Sequence, residues 1–182
     1  MGSAFSIPCL ENKNNVTITE PYSKVFIKNL SSKNKFHSAL KMKLPKKLNF
    51  RKYSKDLLKE KFDLIVIALS LSGIDFIGKE LKDLKIQIPI LVLTKGLKYE
   101  KKKRKIITIS EKLNKGFKIK DLSILKGPCL AKELAKRNQT SVIIANKNIN
   151  KAKKIGKIIS TKYYLVEYSK DIIGVEISSA IK

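Results

Sequence analysis

Two stretches of the chain, 62–69 (FDLIVIAL) and 88–93 (IPILVL), are nearly unbroken runs of apolar, mostly branched residues. A strand with one wet face alternates apolar and polar side chains. A strand covered on both faces has no need to, so these runs predict interior strands of a parallel sheet. Shorter strands are predicted at 16–18, 122–125, 141–145 (SVIIA) and 163–166, each bounded by polar or turn-forming residues. Between them the chain reads as helical over 54–61, 74–84, 109–113 and 151–159. In the last of these, Ala152, Ile155 and Ile159 recur at the i, i+3, i+7 spacing that places them on one helix face. Strands alternating with helices predict an α/β layered fold, because helices must cover the faces of such a sheet. The final segment, 171–182 (DIIGVEISSAIK), sets Ile173, Ile177, Ala180 and Ile181 on one helical stripe. No Gly or Asn stop signal follows it, so further packing is expected beyond this point or on a partner.

The length of 182 residues suits one domain with a real core, and 43% hydrophobic against 30% charged residues excludes collagen-like, disordered and disulfide-scaffold classes. The longest apolar runs fall far short of the roughly 20 residues needed to span a bilayer, and the first fifteen residues lack the pattern of a secretory signal. Cys9 and Cys129 lie too far apart for a metal-type spacing and read as reduced cytosolic thiols, and with His37 the single histidine no metal site is expected. His37 reads as a surface residue. The net charge of +25 raises nucleic acid or an anionic membrane as partners. Yet of the 40 basic residues only Arg51, Arg104 and Arg137 are arginines, leaving 37 lysines spread along the whole chain. Recognition of bases and phosphates favours the planar, bidentate guanidinium, so most of this charge reads as solvated surface, including the densest run, 101–105 (KKKRK).

Seven segments, in order, carry a resemblance. They are AFS at 4–6, Leu44-Pro45, FDLIVIALS at 62–70, VLTKGL at 92–97, ISE at 109–111, GPCLAKELA at 127–135 and DIIGVEISSAIK at 171–182. Together they resemble the N-terminal half of NAD-dependent glycerol-3-phosphate dehydrogenases. The resemblance implies a Rossmann-type, three-layer, mostly parallel sheet over residues 1–170, with 171–182 as the first helix of a helical substrate domain whose remainder is absent. The implied reaction is hydride transfer between a nicotinamide cofactor and glycerol 3-phosphate or dihydroxyacetone phosphate. NAD is the expected cofactor, with NADP left open. By motif position, Lys95 would contact substrate and cofactor, Gly127 and Cys129 would line the substrate site, and Gly2, Ala4, Phe5 and Ala131 would border the nucleotide. Lys182 would be the general acid/base. A lysine can take the hydroxyl proton of a secondary alcohol near neutral pH if burial or a second cation lowers its pKa, and Lys95 would be that cation. A cytoplasmic enzyme is expected, with no specific nucleic acid or membrane partner. A homodimer, or a separately encoded helical half, would be its macromolecular partner.

The sequence departs from this pattern at both ends. A dinucleotide fingerprint follows a buried first strand and spaces three glycines so that the backbone can approach the pyrophosphate. Here the first strand is missing, which predicts a gap in the sheet. Ser3 and Ser6 stand at the second and third glycine positions, where their side chains would crowd the phosphates. Pro8 is tolerable only in the first turn of the following helix. Glu20, eighteen residues beyond Gly2, falls near the place of an acid that binds a ribose 2′-hydroxyl. These departures leave two further readings open: a catalytically inactive fragment or remnant, and a basic surface-binding protein. The second draws on a Met1-Gly2-x-x-x-Ser6 match to the N-myristoylation pattern.

Overall fold

Residues 90–92 (ILV) form a fully buried strand whose side chains divide strictly between two cores. Leu91 joins one hydrophobic cluster and Ile90 and Val92 join the other, as the period of two in a strand requires. The computed structural model describes residues 1–22, 28, 30, 35–100 and 104–181. In chain order the helices and strands are α1 (Gly2–Glu11), β1 (Thr17–Glu20), β2 (Phe36–His37), β3 (Met42–Lys43), β4 (Asn49–Lys52), β5 (Ile65–Ile67) and α2 (Ile74–Asp83). They continue with β6 (Ile90–Val92), β7 (Leu97–Glu100), β8 (Lys105–Thr108), α3 (Ile109–Glu111), β9 (Leu122–Lys126), α4 (Ala131–Ala135), β10 (Thr140–Ala145), α5 (Ile149–Ile159), β11 (Tyr164–Ser169) and α6 (Ile172–Ile181).

The main sheet has the order β11-β10-β9-β6-β5. Its pairs are parallel except β9 with β10, which run antiparallel. One face packs on α1, α4 and α5 through Ala4, Phe5, Ile7, Leu134, Ala152, Ile155 and Ile159. The other packs on α2 and α3 through Ile74, Ile77, Leu81 and Ile109, with Ile172 and Val175 of α6 against it. This is the three-layer α/β arrangement predicted by the strand–helix alternation. β1 and β4 pair in parallel with each other and are not hydrogen-bonded to the main sheet, so the predicted gap is present, with β5 as an edge. Consistent with an edge position, Ile65 and Val66 are half-buried, where burial on both faces was expected.

Helix α1 is buried on nearly all sides, from Ser3 to Cys9. Pro8 lies well inside it, contrary to the expectation of a first-turn position. Its ring removes the amide that would bond back to Ala4, yet the helix persists because packing of Ala4, Phe5 and Ile7 in the core holds it. Beyond its end, the Asn12 side-chain amide donates to the carbonyls of Ile158 (3.1 Å) and Ser160 (2.8 Å), and Asn14 donates to that of Ile158 (3.0 Å). The two asparagines thus tie α1 to the carboxyl end of α5, satisfying carbonyls that a helix end leaves free.

Three other expectations are corrected. The helix expected over 54–61 is a short 3-10 turn, Asp56–Lys59. The β7–β8 hairpin has no counterpart in the predicted elements. Part of the basic run, 101–103, lies outside the described residues, and the exposed Arg104 and Lys105 lead into β8. His37 is half-buried rather than on the open surface, and its Nδ1 accepts the Leu40 amide at 3.2 Å.

Helix α6 leaves its isoleucine stripe largely in solvent. Ile173 is 60% and Ile181 75% exposed, while the residue buried from this helix is Glu176. The reason is polar: Glu176 accepts hydrogen bonds from the Ser110 amide to both carboxylate oxygens (3.2 Å each) and from the Ser110 hydroxyl. Thr108 Oγ1 in turn accepts the Glu111 amide at 3.1 Å. Together they cap the start of α3, where unpaired amides favour an anion.

Candidate active site

At the carboxyl ends of β6 and β9 a small cleft opens, lined by Met1, Leu93, Lys95, Leu125, Lys126, Gly127, Cys129 and Tyr164. In sheets of this kind ligands bind outside the carboxyl ends of the strands. Lys95 follows β6, and its Nζ crosses to donate to the Gly127 carbonyl at 2.9 Å. Lys126 ends β9, and its Nζ crosses the other way to donate to the Thr94 carbonyl. Each lysine is therefore held by backbone from the loop that carries the other. Thr94 is fixed too, with its hydroxyl donating to the Leu69 carbonyl at 2.8 Å.

Two glycines make the crossing geometry available. Gly96 has φ +118°, a conformation costly for residues with a Cβ, and so turns the chain just after Lys95. At Gly127 a Cβ would stand 2.8 Å from the Ser141 carbonyl oxygen and 3.0 Å from Val142 Cα. Both neighbours are backbone of β10 and cannot swing aside. Gly127→Ala is therefore expected to destabilise the fold by about 2 kcal/mol, measurable by urea unfolding.

The floor of the cleft is largely apolar. Tyr164 is fully buried, with its ring edge-on to Phe5 at 6.3 Å between centroids. Its hydroxyl finds no hydrogen-bond partner of good geometry, and burial, with the adjoining Cys129 thiol second, pushes its pKa up. Because that hydroxyl has lost water without a replacement, Tyr164→Phe is expected to leave stability unchanged or raise it by up to about 1 kcal/mol in thermal unfolding. Burial also raises the Cys129 thiol, and it raises Cys9 to about 12, so both cysteines are held as unreactive thiols.

Of the residues singled out from the sequence, Lys95, Gly127 and Cys129 meet in this cleft. Gly2, Ala4 and Phe5 lie in the first turn of α1, with Met1 reaching the cleft rim. Ala131 is the first residue of α4 and is half-buried. Lys182 lies outside the described residues. Lys126 is the lining residue that sequence reasoning missed; its signal is a lysine closing an apolar strand immediately before Gly-Pro, indistinguishable from other lysines until its burial is known. Among the described residues no three His, Cys, Asp or Glu side chains converge as a metal site would require.

The start of α1 suits a nucleotide phosphate better than the sequence suggests. Phe5 makes the first amide bond of the helix, to the Met1 carbonyl at 3.0 Å, which leaves the preceding amides free to receive an anion. Ser6, expected to crowd the phosphates, is 2% exposed and turns its hydroxyl back onto the Ser3 carbonyl at 2.7 Å. Glu20 ends β1, where its Oε1 accepts the Tyr22 amide at 2.8 Å.

A three-layer sheet of this topology, with a cleft at the strand ends beside a helix start, defines a Rossmann-like α/β domain. Solved structures agree in fold. Glycerol-3-phosphate dehydrogenase from Coxiella burnetii superposes with a TM-score of 0.82 at 20% identity, covering 98% of this chain and 53% of that one. The Plasmodium falciparum enzyme gives 0.83 at 16% identity, covering 97% and 51%. The sequence profile of the NAD-dependent glycerol-3-phosphate dehydrogenase N-terminus matches residues 1–152, and the chain belongs to this family. Among curated relatives, a glycerol-3-phosphate dehydrogenase (NAD(P)+) of Leptospira biflexa is 38% identical over 121 residues, 66% of this chain and 36% of its own length. An NADP(+)-dependent glycerol-3-phosphate dehydrogenase of Archaeoglobus fulgidus is 31% identical over 189 residues, all of this chain and 54% of its own length. The chain thus spans between a third and just over half the length of these relatives. Among the described residues no helix is long and apolar enough to cross a membrane.

Proposed function

We propose that this chain forms the nucleotide-binding half of an NAD(P)-dependent glycerol-3-phosphate dehydrogenase, acting on glycerol 3-phosphate and dihydroxyacetone phosphate. The observation that carries this reading is the convergence of Lys95, Gly127 and Cys129 on one cleft at the carboxyl ends of β6 and β9, with the start of α1 at its rim. In this reading the free amides at the start of α1, around Gly2, Ala4 and Phe5, hold the cofactor's pyrophosphate, and Ala131 borders the nucleotide. The cofactor supplies the hydride acceptor. Lys95, anchored on the Gly127 carbonyl, orients the substrate oxygen and favours negative charge developing on it. The apolar floor of Leu93, Leu125 and Tyr164 excludes water, which strengthens that interaction. Lys182 takes or returns the hydroxyl proton. Residues 1–170 form the nucleotide domain and α6 begins a helical substrate domain. The exposed Ile173, Ile177 and Ile181 are the face that such a domain, or a separately encoded helical half, would cover.

The test is titration of the purified chain with NADH and NADPH, followed by turnover with dihydroxyacetone phosphate in the chain joined to a helical half from a relative. Cofactor fluorescence is expected to change on binding. Lys95→Met is expected to keep cofactor binding and lose turnover at least tenfold. Failure of both cofactors to bind would overturn the reading.

A further inference from the structure

Lys126 is 3% exposed, yet it lines the cleft. An ammonium carries three donors, and among the described residues only one of them has a partner, the Thr94 carbonyl. Among the described residues no carboxylate forms an ion pair with it. The Glu176 carboxylate favours its charge at longer range, but its oxygens are already taken by the amide and hydroxyl of Ser110. A buried cation with two idle donors is costly unless an anion completes its shell. Nor is this cation alone: Lys95 stands in the same cleft, pinned to Gly127 in the reciprocal crossing described above. Two lysines of like charge, fixed by backbone carbonyls rather than by acids, are preorganised to receive a ligand bearing more than one negative charge.

We propose that Lys126 and Lys95 form a two-lysine seat for a phosphate monoester at the carboxyl ends of β9 and β6, with Lys126 as a further substrate-binding residue. The inference deepens the dehydrogenase reading and rests on it for the identity of the ester. The same phosphate chemistry could come from the substrate or from the cofactor's pyrophosphate. The substrate is favoured because Lys126 lies among the groups at the strand ends, Lys95, Gly127 and Cys129, whereas in the dehydrogenase reading the amides of α1 are the pyrophosphate's partners. The protonation of Lys126 is consistent with such a seat. Burial lowers its pKa to about 8, with the Glu176 carboxylate opposing and the Lys95 charge assisting. The remaining titratable groups of the cleft are the Met1 amino group, whose pKa burial lowers, and the Cys129 thiol and Tyr164 hydroxyl, which are both pushed up and remain neutral. A phosphate dianion on Lys126 would favour the ammonium and raise its pKa.

The experiment is calorimetric titration of the 182-residue chain, wild type and Lys126→Met, with inorganic phosphate, glycerol 3-phosphate, glycerol and ADP, with NADH binding followed separately. In parallel, the pKa of Lys126 is read by NMR of isotope-labelled lysine with and without phosphate. Phosphate and glycerol 3-phosphate are expected to bind and glycerol not to. Lys126→Met is expected to weaken both phosphate ligands about tenfold or more while leaving ADP and NADH unchanged. The Lys126 pKa is expected to rise when phosphate is added. Equal phosphate affinity in the variant, or a Lys126 pKa indifferent to phosphate, would overturn the proposal. Loss of ADP and NADH binding instead would also overturn it, assigning Lys126 to the cofactor's pyrophosphate. If NADH binds while neither phosphate ligand does, this inference fails and the dehydrogenase reading stands; if NADH itself does not bind, it is that reading that fails.

Discussion

Lys126→Met is expected to raise the stability of the fold at pH 7 by on the order of 3 kcal/mol, an unusual sign for replacing a buried residue. The folded chain holds the Lys126 proton with a pKa lowered to about 8, against an ordinary lysine value of 10.5 when unfolded. Below pH 8 both states carry the proton, and the fold bears the full cost of burying it. Between pH 8 and 10.5 the unfolded chain binds more protons than the folded one, so stability rises with pH across that window. Methionine matches the length of the stem without the charge and removes both the cost and the slope. For a domain of this size each kcal/mol is worth roughly 2–4 °C in the midpoint of thermal unfolding. Melting wild type and variant at pH 7, 8, 9 and 10 tests it: the gap should be widest at pH 7 and close toward pH 10. Curves separated by a constant amount, or not at all, would show that the ammonium is already satisfied. A binding group retained at a cost to stability is what function commonly demands of a site.

Glu176→Ala is expected to act in the opposite direction, lowering stability by about 3 kcal/mol. The carboxylate is 1% exposed and, among the described residues, is what accepts the Ser110 amide, so truncation strands a buried amide at the start of α3. It also loosens α6, whose contact with the sheet otherwise rests on the half-buried Ile172 and Val175. Glu176→Gln keeps an acceptor and is expected to cost about half as much, which separates the lost hydrogen bond from lost packing. The alanine variant has a second signature. Because the Glu176 carboxylate raises the Lys126 pKa, its removal should lower that pKa further, a change readable by lysine NMR. The Lys126 and Glu176 substitutions are therefore not expected to add, since they share a Coulomb interaction.

The two central strands and the long amphipathic helices were legible because each depends on local periodicity. The run ILV at 90–92 can only be covered on both faces, and Ala152, Ile155 and Ile159 can only share one helix face. Three residues of the candidate cleft were singled out for a different reason: the family resemblance picks out TKG and GPC, which the fold sets at strand ends. What they could not show was the reciprocal crossing of Lys95 and Lys126, which needs β6 and β9 adjacent and parallel.

The errors share a cause. The stretch 54–61 has helical residues but closes only a 3-10 turn, because Glu60 already turns to extended backbone. On α6 the amide and hydroxyl of Ser110 draw Glu176 inward, a burial that apolar periodicity does not show. Pro8 sits in a helix interior that local rules forbid, since burial from Ser3 to Cys9 outweighs one missing amide bond. By itself, then, the sequence determined the layers, the central strands and the long helices, all of which follow from side-chain periodicity and backbone preference over a few residues. Only the tertiary structure decided which face of α6 is buried and which one of 37 lysines is taken out of water, because desolvation depends on neighbours distant in the chain.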